Sequence, residues 1–383
     1  MQSAPVPAPP VLAALACNLD TDILTAALPL LAEGRVEALE WSFDVLSQTE
    51  QLPAWFAQLL DTYSTGGRLL GHGVFYSLLS GRWQPAQQQW LQQLRTVTQQ
   101  LPFAHVSEHF GFFTGQHFHA GAPLPVPYTT ATLRLGQDRM QRLAQAGQCP
   151  VGLENLAFAY SVAEVQQHGE FLGKLLEPVN GFIILDLHNL YCQLHNFSAS
   201  FDELLGSYPL DRVREIHISG GSWAPAPTAP AGRVRRDTHD AAVPEEVFHL
   251  LEQAMPRCHN LRYVVLEQLG TALTTPASHR SFRRDFRRMA RLVEQHRASQ
   301  SGTVQHDFRP PPLSVPESAL EDEVLYEQQQ QLSHILETAA SYAEAQDHLR
   351  YSSLASSAWQ IEHWAPHMLE TARQIARKWQ QAT

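Results

Sequence analysis

The sequence predicts an α/β protein, a closed (β/α)8 barrel with a C-terminal helical extension. Three observations carry this. Short runs rich in Val, Ile and Leu recur eight times between Val11 and Leu269. Stretches with the apolar spacing of helices separate them. From the third run onward, each run ends in His, Asp or Glu. Near-continuous apolar strands alternating with amphipathic helices mark a parallel sheet covered on both faces. Eight such units close into a barrel.

The first run, "VLAALACN" (11–18), precedes a helical stretch at 21–34, with Thr21-Asp22 as the expected N-cap and Gly34 as the stop. "VEALEWS" (36–42) and a helix at 53–67 follow, then "RLLGHGVF" (68–75), which brings His72, and a helix at 86–102. "AHVSEHFG" (104–111) ends at Glu108-His109 and leads to a helix at 136–148. "VGLENLA" (151–157) ends at Glu154-Asn155, with a helix at 162–179 behind it. "GFIILDLHNL" (181–190) ends in Asp186, His188 and Asn189, ahead of a helical stretch at 200–210. "VREIHIS" (213–219) brings His217. The loop after it carries "DTHD", with Asp237 and His239, before a helix at 244–256. "RYVVLEQL" (262–269) ends at Glu267, and the basic run "SHRSFRRDFRRMARLVEQHR" reads as the solvated face of the last barrel helix.

Composition sets the remaining bounds. Residues 1–10 are Pro/Ala-rich and read as a disordered lead-in; the barrel is expected over 11–301. "TVQHDFRPPPLSVPES" holds three consecutive prolines, so 302–317 reads as a linker and 318–383 as a helical extension that packs on the barrel or on a partner. A net charge of −11 argues against a nucleic-acid partner. No apolar run is long enough to span a bilayer, and no Lys or Arg precedes Arg35, so a secretory signal is not expected. The four cysteines (Cys17, Cys149, Cys192, Cys258) show no C-x-x-C spacing, and a reducing, cytoplasmic setting fits.

Chemistry in this fold sits at the C-terminal ends of the strands. Six consecutive strands end there in imidazoles and carboxylates. Each residue alone has a bland reading: a satisfied polar strand end, or, for Asp240, a helix cap. Several carboxylates buried together are costly unless something positive balances them, and almost no Lys or Arg lies at these ends. Metal, and more than one ion, is the expected counter-charge. Donors limited to N and O suit iron, manganese or catalytic zinc. Glu154 or Asp186 is placed to bridge two ions.

The ordered set "GHGV", "SEHF", "LENL", "LDLHNLYC", "EIHISGG", "DTHDAAVPEEVFHLL" and "LEQ" resembles the DUF692 family, the multinuclear iron-dependent oxidases that include the methanobactin biosynthesis oxygenase and enzymes modifying cysteines in ribosomal peptides. The resemblance runs from Leu12 to Gln295. It implies a TIM barrel of the xylose-isomerase-like type with two or three irons, O2 as co-substrate, and a Cys-containing peptide presented by a partner protein. By resemblance, His72, His109 and Glu154 hold one iron. Asp186, His217 and Glu267 hold a second, with Glu154 bridging. Asp237 and His239 hold a third, helped by His188. Glu154, Asp186 and His217 are the expected catalytic residues, and Asn155 and Asn189 the expected substrate contacts. The chain departs from the family pattern at His188, where an Asn is common, at Gly221, where a second His is common, and at Leu269, where E-x-D commonly ends the last motif and Glu267-Gln268-Leu269 stands here.

Two other readings compete. One is a divalent-metal (Zn, Mn or Mg) isomerase or phosphodiesterase of the xylose-isomerase-like and endonuclease IV-like barrels. The other is a non-catalytic module with a structural site, disfavoured because an unused cluster of acids burdens stability.

Overall fold

A computed structural model describes residues 9–44, 52–113, 123–299 and 306–380. Eight parallel strands form one closed barrel in chain order: β1 (Leu12–Ala16), β2 (Ala38–Trp41), β3 (Leu69–His72), β4 (His105–His109), β5 (Val151–Glu154), β6 (Phe182–Asp186), β7 (Val213–Ile218) and β8 (Tyr263–Leu266). The covering helices are α1 (Thr21–Ala32), α2 (Ala54–Thr65), α3 (Pro85–Gln100), α4 (Thr130–Gly147), α5 (Val162–Leu176), α6 (Leu187–Phe197), α7 (Phe201–Gly206), α8 (Glu245–Ala254) and α9 (Pro276–Ser299). Three further helices follow: α10 (Glu323–Thr338), α11 (Tyr342–Arg350) and α12 (Pro366–Gln380). None of the described helices is long and apolar enough to cross a membrane.

Strand alternation sorts the side chains. Successive residues point to opposite faces, so Leu12, Ala14, Ala38, Leu70, Tyr263 and Val265 pack together inside the barrel. Their neighbours, such as Leu15, Leu39, Leu69 and Val264, join the larger core under the helices. Position 152 shares the inner face with Glu154, and it is glycine because a Cβ there would come within 2.4 Å of the Phe182 ring. One irregularity interrupts the ladder. Ile183 pairs with Val213 and Ile184 with Glu215, which leaves Arg214 as a bulge on β7.

Local chemistry corrects several expectations. The cap of α1 is Asp20, whose carboxylate accepts from Asp22 N and Ile23 N, and Thr21 is already helical. The helix expected at 136–148 begins at Thr130, because Thr129 and Thr132 form a reciprocal capping box. The sixth strand ends at Asp186, not at Asn189. Asp186 accepts from Asn189 N and so starts α6, which makes His188 and Asn189 helical. Asp240 caps nothing: Pro244 precedes α8 without a side-chain cap, and Asp240 accepts from Thr238 Oγ1 instead. The basic run forms α9, which buries Phe282, Phe286 and Met289 and pairs its arginines with Glu33, Glu37 and Glu245.

The stretch after α9 returns beneath the barrel. Phe308 is buried at its floor against Phe182. Residues 1–8 of the expected lead-in and 302–305 of the expected linker lie outside the described residues. The extension then climbs the wall. Gln329 bridges Gly81 N and Leu79 O at 2.8 Å each. Trp364 stacks on Tyr160 at 3.8 Å between centroids, 11° from parallel, and Ala365 N donates to Tyr160 O. Tyr160 belongs to the loop after β5, so α12 is fixed to the rim that carries the strand ends. Trp364→Ala, which empties this stack, is expected to cost about 3 kcal/mol. A urea midpoint equal to the parent's would show that the extension is not anchored there.

Candidate metal centre

The inner faces of five adjacent strands deliver the site. His72 ends β3, His109 ends β4, Glu154 ends β5, Asp186 ends β6, and His217 lies one residue before the end of β7. Glu267 directly follows β8. Donor atoms of His72, His109 and Glu154 lie within 4.8 Å of one another, as do those of Glu154, Asp186, His217 and Glu267. Glu154 belongs to both groups. Its Oε2 is 3.2 Å from His72 Nε2 and 3.3 Å from His109 Nε2, and its Oε1 is 3.9 Å from His217 Nδ1.

Neighbouring groups fix which ring nitrogen faces inward. His72 Nδ1 pairs with Ser107 Oγ at 2.8 Å, and His109 Nδ1 with the Gly73 carbonyl at 3.1 Å. A carbonyl only accepts, so His109 carries its proton on Nδ1 and turns Nε2 to Glu154. Asp186 spends Oδ1 on Asn189 N at 2.5 Å, and Asn189 Nδ2 reaches Glu154 Oε1 at 3.3 Å. What remains is a set of buried atoms with no hydrogen-bond partner: Glu154 Oε2, Asp186 Oδ2 and His217 Nδ1. Each such atom costs on the order of 1–3 kcal/mol. A cation among them would supply the missing partner to all three, and the N/O donor set fits iron, manganese or zinc.

The electrostatics agree. Burial works against the charged His72 ring, but the adjacent Glu154 carboxylate and the charges of Glu40 and Glu267 outweigh it and push His72 up to about 10. His217 is likewise held well above the usual imidazole range against burial, chiefly by Glu40 and Glu267. Burial raises Glu154 and Glu267, and the surrounding histidines more than reverse it. Asp186 goes the other way, well up, because burial is reinforced by Asp237 and Glu154.

The loop pair stands beside this group. His239 Nε2 and His188 Nδ1 both lie 2.9 Å from Asp237 Oδ1, and His239 Nδ1 is 3.8 Å from Glu267 Oε2. His239 adopts a left-handed backbone, φ 51°, a conformation that costs free energy and recurs at functional sites. His109, Asp237 and His239 keep roughly a quarter of their side chains exposed, whereas Asp186 and His217 are sealed. The mouth therefore opens over the loop pair. His188 does not face it. Its Nδ1 is taken by Asp237, and its Nε2 accepts from Arg235 at 3.1 Å. Asn155 is also turned away: it braces β5 to β6 through both backbone polar groups of Asp186. Asn189, expected to meet substrate, is 4% exposed and holds Glu154.

Glu40, His105, Ser107 and Glu215 were missed. All are buried on the inner face. The available signal was period two: Glu215 lies two residues before His217 and shares its face, and Glu40 shares that of Ala38.

Fold and site define a (β/α)8 barrel whose strand ends carry a histidine–carboxylate centre. The chain belongs to the family of RiPP precursor modification enzymes MbnB/TglH/ChrH, whose model matches residues 38–273. All the donors named above lie within that stretch. The chain is 30% identical over 168 residues to a UPF0276 protein of Chromobacterium violaceum, across 44% of this chain and 58% of that one. It is 29% identical over 233 residues to a UPF0276 protein of Acaryochloris marina, across 56% and 79%. Among solved structures it is similar to endonuclease IV from Thermus thermophilus, with 15% identity, TM-score 0.47, and coverage of 74% and 98%. It is also similar to a xylose isomerase-like TIM barrel protein from Mycobacterium smegmatis, with 11% identity, TM-score 0.45, and coverage of 74% and 98%.

A ring held protonated in the ion-free protein must lose that proton before its nitrogen can bind an ion. With His72 at about 10, and His217 and His239 also raised, adding a divalent ion near pH 7 is expected to acidify a weakly buffered solution. Affinity is expected to fall as pH falls. Binding without proton release, read by an indicator dye, would contradict this charge assignment.

Proposed function

We propose that this chain is an iron-dependent oxidase that uses O2 to modify a ribosomally made peptide at cysteine. The observation that carries the reading is Glu154, a buried carboxylate shared by two donor groups. His72, His109 and Glu154 would hold one iron. Glu154, Asp186, His217 and Glu267 would hold a second, and Asp237 with His239 a third and weaker one. Iron held there supplies one-electron chemistry and the activation of O2.

The chain's own residues do the rest. Ser107 and Gly73 orient His72 and His109. Asn189 holds Asp186 through its backbone and Glu154 through its side chain. The sealed floor keeps water from the buried donors, while His109, Asp237 and His239 border the opening through which a peptide thiol enters. Loop ligands cost more ordering entropy than strand-end ligands, which favours loss of the third ion first. Membership in a family of precursor-modifying enzymes supports a peptide substrate. The thiolate-free donor set supports iron. A partner protein that presents the peptide, in the cytoplasm, is part of this proposal.

Two measurements test it. After anaerobic iron loading, the protein is expected to hold more than one iron per chain and to consume O2 when given a Cys-containing precursor peptide. One zinc, no iron and no O2 uptake would place it instead with the divalent-metal isomerases and phosphodiesterases. Glu154→Gln is expected to release ions from both donor groups and abolish activity while the circular dichroism spectrum stays unchanged. Retention of full metal content would remove the bridge.

A further inference from the structure

Below the metal centre lie charged groups that the proposed chemistry does not use. Glu215, Glu40 and His105 are each no more than 1% exposed, deep in the barrel. Glu215 lies between two histidines. Its Oε1 is 2.7 Å from His217 Nε2, and its Oε2 is 2.7 Å from His105 Nε2, the latter close but not hydrogen-bonded. His105 Nδ1 in turn accepts from Arg214 Nε at 3.2 Å.

We propose that Glu215 is a positioning residue of the centre. It accepts the hydrogen bond of His217 Nε2–H, so that Nδ1 is the nitrogen this ring offers to an ion, and Arg214 and His105 set its direction. The proposal rests on the metal-centre reading above.

The direction follows from donor and acceptor capacity. A guanidinium can only donate, so His105 Nδ1 must be the accepting nitrogen. The proton of a neutral His105 ring is then on Nε2. Two lone pairs do not tolerate 2.7 Å, so that proton lies between His105 and Glu215. Glu215 Oε2 faces that proton, and Oε1 accepts the hydrogen bond of His217 Nε2. The other nitrogen, Nδ1, has no hydrogen-bond partner and lies 3.3 Å from Glu267 Oε2 and 3.9 Å from Glu154 Oε1. It points into the donor group.

Glu40 is the competing acceptor, at 3.3 Å from the same Nε2. It makes no hydrogen bond through either oxygen, so Glu215 holds the shorter and better aligned contact. The bulge on β7 makes the arrangement possible. With Arg214 left out of the ladder, consecutive residues 214 and 215 both reach the barrel interior, where strict alternation would send one of them outward. A carboxylate behind a metal-binding imidazole fixes its orientation and raises its basicity.

The test uses the full chain. Cobalt(II), followed by its visible absorption, titrates the parent, Glu215→Leu and Glu215→Gln. Loss of a partner behind a ligand typically weakens binding roughly 10- to 100-fold. Glu215→Leu is expected to weaken by that factor the ion that uses His217 and to spare the ion on His72 and His109. A role confined to core stability would lower the melting temperature and leave both affinities alone, which would overturn the proposal. Glu215→Gln keeps an acceptor but not the charge and covers the case in which the leucine variant fails to fold. It is expected to weaken the same ion by a smaller factor, and an unchanged affinity would count against the carboxylate. Long-range 1H–15N spectra of the zinc-loaded parent give an independent reading. His217 is expected to show a proton on Nε2 and ligation through Nδ1, and the reverse assignment would sink the idea. A parent that takes up neither cobalt nor zinc would instead be a failure of the metal-centre reading itself.

Discussion

Glu154, Asp186 and Glu267 lie at the end of the barrel with no lysine or arginine among the groups that chiefly set their charge. Their counter-charges are the rings of His72, His217 and His239, which are held protonated. This imbalance shapes the upper half of the barrel. It requires each imidazole to be aimed, which Ser107, the Gly73 carbonyl and Glu215 do from behind. It requires spare carboxylate oxygens to be anchored, which the first turn of α6 does for Asp186. A parallel barrel suits the task because every strand ends on the same face, so residues distant in sequence meet without a long loop.

Much of this could be read from the chain. The apolar runs and helical spacing marked out the eight units, because a buried parallel strand needs an uninterrupted apolar stretch. His72, His109, Glu154, Asp186, His217 and Glu267 stood out because a polar residue that ends an apolar run is conspicuous. The rest was hidden for definable reasons. Asp186 is both a candidate ligand and a helix cap, and the apolar residues that follow concealed the change from strand to helix. Glu40 and Glu215 sit inside apolar runs, where a single acid looks incidental until inner and outer faces are separated. The bulge at Arg214 left no pattern, since nothing in "VREIHIS" marks the residue that drops out of the ladder.

Two of the departures from the family pattern meet in space. A Cβ on Gly221 would lie 2.2 Å from the Arg236 carbonyl oxygen and 2.8 Å from Cε1 of His188. The His188 ring thus occupies room that a side chain at 221 would need, and it is clamped between Arg235 and Asp237. It steadies the loop pair through Asp237. The extension bears on the same rim. It fixes the loop after β5 through Trp364 and the end of α6 through His367, which contacts the Asn196 carbonyl at 2.8 Å. The loop after β5 and the end of α6 are therefore held from outside the barrel.

Anomalous diffraction tests most directly whether Glu154 is shared between two ions. Crystals grown with iron(II) and measured at the iron edge are predicted to show at least two peaks. One would lie within bonding distance, about 2.0–2.2 Å, of His72, His109 and Glu154, and the other within bonding distance of Glu154, Asp186, His217 and Glu267. A single peak that leaves Glu154 untouched, or a Glu154 carboxylate bonded only to protein groups in the presence of iron, would contradict the shared bridge.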